Sequence, residues 1–190
     1  VGFGGAQSLV GVKPDLTTFG KIIGGGMPVG AVGGSREVMS VFDPSSGKPR
    51  APHGGTFNAN PTTMAAGVAS MRLLTEERLD ELNRLSDRAR EKINAAFERS
   101  GVAGQATGAG SLVKLHFNRR EMTNLRDVFP DAQENARLSA LHKALLSRGY
   151  IVGSSCLAAI STANSEAEID GLADAIEDAL SEMRLNDPGS

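Results

Sequence analysis

Leu79, Leu82, Ser86, Ala89, Ile93 and Phe97 recur at helical spacing with charged residues between them, which predicts a long amphipathic helix. Leu138, Leu141 and Leu145 repeat the pattern, and Gly149 follows as a C-terminal stop. Ile169, Leu172, Ala173, Ile176, Leu180 and Met183 form the clearest stripe. Ser165-Glu166-Ala167-Glu168 opens it as a capping box, with the Glu three residues after the Ser. Pro61 to Leu74 is Ala-rich and little charged, which predicts a helix packed on both sides. Period-two or short apolar runs predict strands at Asp15 to Phe19, Val29 to Val32, Ser111 to Phe117, Tyr150 to Val152 and Leu157 to Ser161.

These elements differ in texture along the chain. Residues 1 to about 60 are Gly-rich with short apolar stretches, and the rest is helix-rich and charged. The second part reads as helix, strand, helix, paired strands, helix, with helices over one face of a small sheet. The chain has 190 residues, enough for one domain or one and a part. It opens Val1-Gly2-Phe3, with no Met and no signal peptide, and reads as cut from a longer protein.

Composition narrows the class. The hydrophobic fraction of 40% is enough to bury a core and excludes wholesale disorder. A net charge of −2 argues against a general nucleic-acid binder. No apolar run approaches the roughly 18 residues that a membrane span needs. Cys156 is the one cysteine, so no intrachain disulfide or Cys cluster can form, and a reduced thiol fits a cytoplasmic protein. Glycine is 23 of 190 residues, clustered at 2–5, 20–34 and 54–55. Apolar residues are interleaved, so the clusters mark close backbone approach and left-handed positions, not a linker.

Several motifs fail. Gly20-Lys21 lacks the upstream Gly and the following Ser or Thr of a phosphate-binding P-loop. Gly24 and Gly26 are followed by Val29 where a dinucleotide fingerprint needs Gly. His53, His116 and His142 are scattered, without metal-ligand spacing, and read as structural. No Ser occupies a nucleophile elbow. Pro61 excludes glycosylation at Asn60-Pro61-Thr62. Cys156 has no adjacent base and reads as a core or site-wall thiol.

Lys21 stands apart among the six lysines. It ends the run Pro14 to Gly20 and precedes Ile22-Ile23 and three glycines. A lysine ending a buried strand would be partly desolvated, and desolvation favours the neutral amine that attacks carbonyls. The glycines would let a planar group approach the backbone. On the residues alone a second reading stays open, a lysine that snorkels to solvent beside a turn. Thr56, after Gly54-Gly55, could offer its hydroxyl to an anion or be an ordinary loop residue.

The segment Pro14-Asp15-Leu16-Thr17-Thr18-Phe19-Gly20-Lys21-Ile22-Ile23-Gly24-Gly25-Gly26-Met27-Pro28-Val29-Gly30-Ala31 resembles the lysine segment of class III aminotransferases. Gly54-Gly55-Thr56-Phe57-Asn58-Ala59-Asn60-Pro61 and Met64-Ala65-Ala66-Gly67 resemble the family's second signature. Arg148-Gly149-Tyr150, the Ser161-Thr162 strand end and the closing amphipathic helix fit its tail. The subgroup most similar is the glutamate-1-semialdehyde aminomutases and their aminotransferase relatives.

The resemblance implies pyridoxal 5′-phosphate (PLP) as cofactor, with a pyridoxamine phosphate form in the cycle. Lys21 would be the Schiff-base lysine and the general acid and base. Thr56 would hydrogen-bond the cofactor phosphate of the neighbouring subunit in a homodimer, with Gly55 letting the backbone come close. Gly24 to Met27 would shape the floor near the active site. The phosphate loop, the aromatic residue on the pyridine ring and the Asp at its nitrogen would lie upstream of Val1, and Asp15 is not that Asp. The implied fold is the α/β C-terminal part of a fold-type I PLP transferase. Residues 1–75 would close the PLP-binding large domain, and 76–190 would form the small C-terminal α/β domain. The reaction would be amino-group transfer on an amino acid or amino-aldehyde, aminomutase-like. The alternatives are an intermolecular aminotransferase acting on a β-amino acid or other amine, and a non-catalytic binding or dimerisation module. Alone, a chain lacking the upstream parts is expected to be inactive.

Overall fold

The computed structural model describes residues 1–185, so the expected frayed tail at 186–190 lies outside the described residues. The chain divides into two compact units, Gly2–Leu79 and a second made of Val1 with the chain from Asp80 onward.

In the first unit, α1 (Gly5–Leu9) precedes β1 (Leu16–Gly20) and a 3-10 turn at Lys21–Gly24. β2 (Gly30–Gly34), α2 (Arg36–Met39), a second 3-10 turn (Ser40–Phe42) and α3 (Pro61–Leu73) follow. β1 and β2 are antiparallel, with Leu16 opposite Gly34, Thr18 opposite Val32 and Gly20 opposite Gly30. The two glycine-bounded strands predicted from the sequence are therefore one hairpin. α3 starts where its residues dictate. Asn60 accepts the Thr62 and Thr63 amides at 3.0 and 3.2 Å, and Pro61 follows where its missing N–H costs nothing.

Burial corrects two expectations here. β1 carries no buried residue, and Leu16 and Phe19 are each 48% exposed, so Lys21 does not end a buried strand. Nor is α3 packed on both sides: Thr63 and Gly67 are its buried residues, while Val68 is half exposed and Leu73 is 77% exposed. The Ala-rich composition permits close packing, but α3 meets the rest of the unit along one narrow stripe, over the turn at Lys21–Gly24. Among residues 2–78, only Gly24, Thr63 and Gly67 are buried.

The helix α4 (Glu76–Ser100) leads into the second unit, followed by β3 (Gln105–Thr107) and β4 (Leu112–His116). Next come α5 (Leu125–Val128), α6 (Ala132–Ser147), β5 (Leu157–Ala159) and α7 (Glu166–Leu185). The sheet order is β3-β4-β5, antiparallel throughout, with Ala106 opposite Leu115 and Val113 opposite Ala158. Val113, Leu115 and Phe117 pack into one core with Ile93 and Phe97 of α4, Leu138, Leu141 and Leu145 of α6, and Ile169, Ile176 and Leu180 of α7. Phe97 meets Phe117 edge to face, with ring centroids 5.7 Å apart. The three helices predicted for this unit form, and their predicted stripes are buried except at Leu82 and Met183, which are partly buried against the core.

The capping box at α7 forms as its spacing requires: Ser165 N–H donates to Glu168 Oε2 at 2.7 Å, and Glu168 N–H to Ser165 Oγ at 3.3 Å. Tyr150 to Val152, predicted as a strand, is not one. Gly149 takes φ 87° as α6 ends, and the Tyr150 N–H closes that end on the Leu145 carbonyl at 3.0 Å. That amide is committed to the helix terminus, and Ile151 is left 89% exposed. The α/β class holds. Among the described residues no helix is long and apolar enough to cross a membrane.

Candidate functional site

Lys21 begins the turn after β1 with φ 53°, in the left-handed region that non-glycine residues rarely occupy. Such a conformation persists only where surrounding structure imposes it, and it concentrates at functional positions. Here the imposition is visible. The Gly25 N–H closes the turn on the Ile22 carbonyl at 3.1 Å, with Gly25 itself at φ 58°. A Cβ added at Gly25 would overlap the Ala66 carbonyl oxygen, and one added at Gly67 would overlap the Ile23 carbonyl oxygen. The two backbones touch because both positions are glycine. Lys21 itself is exposed, so the partial desolvation expected of it is absent in this chain.

Gly55 and Thr56 lie just before α3. The Asn58 N–H donates to the Gly55 carbonyl at 3.1 Å, so Thr56 sits inside a tight turn, exposed. Ala59 then takes φ 52° to deliver the chain to the Asn60 cap. Next to this turn is an open, mainly apolar cleft of about 670 Å³, with Val32, Met39, Phe42, His53, Phe57 and Thr63 on its walls. The Phe42 and His53 rings meet edge to face at 5.6 Å. Lys21, Gly55 and Thr56 do not line that cleft. What connects them is α3, whose N-terminal cap follows the Thr56 turn and whose Gly67 packs against the Lys21 turn. The sequence did not reveal the left-handed backbone at Lys21 and Ala59, nor the approach of Gly25 to Ala66 and of Gly67 to Ile23. The one available signal was the run of small residues Ala65-Ala66-Gly67.

The strongly perturbed groups of the second unit are structural. His116 is buried, its Nε2 lies 3.0 Å from Thr107 Oγ1, and burial first, then the Lys114 charge, pushes its pKa down to about 4. Burial pushes the Cys156 thiol up to about 11, and Sγ donates to the Leu138 carbonyl at 3.3 Å. Cys156 is thus a core thiol. Among the described residues no group of His, Cys, Asp or Glu could hold a metal ion.

The family profile described as "Aminotransferase class-III" matches residues 2–180. The glutamate-1-semialdehyde 2,1-aminomutase of Ignicoccus hospitalis is 39% identical over 186 residues, covering 95% of this chain and 42% of that protein. Among solved structures, an omega-transaminase from Sphaerobacter thermophilus is 48% identical with a TM-score of 0.93, over 96% of this chain and 42% of that one. A transaminase with PLP bound is 38% identical with a TM-score of 0.87, over 97% and 42%. A β-phenylalanine aminotransferase from Variovorax paradoxus is 35% identical with a TM-score of 0.86, over 95% and 41%. The chain spans about two fifths of the length of these relatives.

Proposed function

Because this chain belongs to the class III aminotransferase family, we propose that it carries the lysine segment of an enzyme that moves amino groups with PLP, and that Lys21 is the lysine that holds the cofactor. The observation that carries this reading is the left-handed Lys21 backbone in a glycine-clasped turn. The donors present fit such a group: an exposed primary amine at Lys21 and an exposed hydroxyl at Thr56 on a turn opened by Gly55. When bound, PLP supplies an electron sink for the carbanion formed at the substrate Cα.

The residues of the chain then have separate tasks. With the cofactor bound, Lys21 Nζ would be the base that takes the proton from the substrate Cα and the acid that delivers it to the cofactor side of the transferred amino group. Its backbone conformation fixes the direction in which the side chain leaves the turn. Thr56 donates its hydroxyl to a phosphate oxygen, and Gly55, without a side chain, leaves room for that approach. In our reading Thr56 serves the neighbouring subunit of a cytoplasmic homodimer. Residues 1–75 belong to the large cofactor domain and 76–190 to the small domain, a division supported by the two compact units. The chain alone would be inactive, a reading supported by its covering about two fifths of its relatives. Replacing Lys21 by Ala in the PLP-loaded enzyme that contains this chain should lower turnover by ~10²–10⁴-fold, the loss of one acid-base group. Near-normal turnover would overturn the assignment.

Two substrate readings follow. In the aminomutase reading the amino group moves between adjacent carbons of one molecule, as the 39% identity to an aminomutase suggests. The 48% identity to an omega-transaminase favours transfer between two molecules, with a β-amino acid or other amine as donor. Turnover of glutamate 1-semialdehyde without an added amino acceptor supports the first, and a strict need for an acceptor supports the second.

A further inference from the structure

We propose that Gly67 is a positioning residue for Lys21, acting through a reciprocal glycine clasp between α3 and the turn. The inference rests on the reading of Lys21 as the cofactor lysine. Gly67 and Gly24 are both buried, while Lys21 between β1 and this turn is exposed. A Cβ built on Gly67 would overlap the Ile23 carbonyl oxygen and come within 3.7 Å of Gly24 Cα. A Cβ built on Gly25 would overlap the Ala66 carbonyl oxygen and lie 3.1 Å from Ser70 Cβ. Each glycine therefore faces a carbonyl of the other segment, and neither segment can move away without giving up the contact that buries it.

The consequence for Lys21 is geometric. Its left-handed φ of 53° is disfavoured for a side-chain-bearing residue and is retained because the residues just after it are pinned to a helix. α3 is anchored at its other end by the Asn60 cap, just after Thr56. One rigid helix thus sets both the lysine turn and the start of the threonine turn. A methyl group at position 67 must push the turn off α3, which lets Lys21 relax toward an ordinary backbone and moves its amine. A displacement of about 1 Å of a reacting group can cost on the order of 10²-fold in rate.

The test uses Gly67→Ala in the PLP-loaded enzyme that contains this chain, with Val68→Gly as a control. Val68 is half exposed beside Gly67, and glycine there lowers the stability of the folded helix while adding no atom at the clasp. Three quantities are read: kcat, KM, and the pH midpoint of the visible absorption of the lysine-bound cofactor. The proposal predicts a fall of about 10–100-fold in kcat with KM changed much less, and a displaced pH midpoint, in Gly67→Ala but not in Val68→Gly. Equal effects in both variants, or an unchanged kcat and midpoint in Gly67→Ala, overturn it. If Gly67→Ala does not yield soluble protein, Gly25→Ala places the methyl on the other half of the clasp and is read the same way. Failure of the underlying reading is recognised separately, since the wild-type protein would then show no PLP absorption dependent on Lys21.

Discussion

Arg88 of α4 grips Asp170 of α7 through two parallel hydrogen bonds, Nε to Oδ1 at 2.9 Å and Nη2 to Oδ2 at 2.8 Å. Lys92 adds an ion pair to the same carboxylate at 3.0 Å. The Arg88 hydrogen bonds first, and Lys92 second, hold the Asp170 pKa at about 2, below the usual 3.8. A carboxyl group depressed in the folded state contributes stability that is present above its unfolded pKa and is lost as pH falls through the folded value. The second unit should therefore lose stability between about pH 4 and pH 2. The Asp170→Asn variant should show a weaker acid dependence there, in urea unfolding followed at several pH values. An identical pH dependence in the variant would show that this clamp is not coupled to folding.

Ile176 is 1% exposed in the core built by α4, α6, α7 and β4. Ile176→Ala should destabilise this unit by ~2–5 kcal/mol, the range for deleting a large aliphatic side chain from a packed core. The midpoint of chemical unfolding measures it. A change below about 1 kcal/mol would mean that α7 is loosely attached.

What the sequence made legible follows from where the energy comes from. The stripes of α4, α6 and α7 repeat over several turns, so burial forces them, and the Ser165 capping box needs only residues three positions apart. Gln105–Thr107 has three residues, too few for a period to emerge, and is a strand only because it pairs with β4. Tyr150 to Val152 has a strand-like composition, but the end of α6 claims its first amide. The lysine segment was visible as a motif, whereas the backbone state of Lys21 was not. It depends on a contact with Ala66 and Gly67, far along the chain, that no local pattern encodes.

Cys156 should be inert in the folded protein. Burial raises its thiol to about 11, with the Lys114 charge opposing only in part, so almost no thiolate exists near neutral pH. A thiol-specific reagent should label one cysteine in denaturant and essentially none under native conditions. Rapid native labelling would show that the segment around Gly153 to Leu157 opens readily.

The central claim is that Lys21 holds the cofactor. Borohydride reduction of the PLP-loaded enzyme that contains this chain, followed by peptide mapping, tests it most directly. The predicted result is one stoichiometric pyridoxyl adduct on Lys21, absent from the Lys21→Ala variant. Adducts spread over Lys13, Lys48, Lys92 and Lys143, or labelling that persists undiminished in Lys21→Ala, would contradict it.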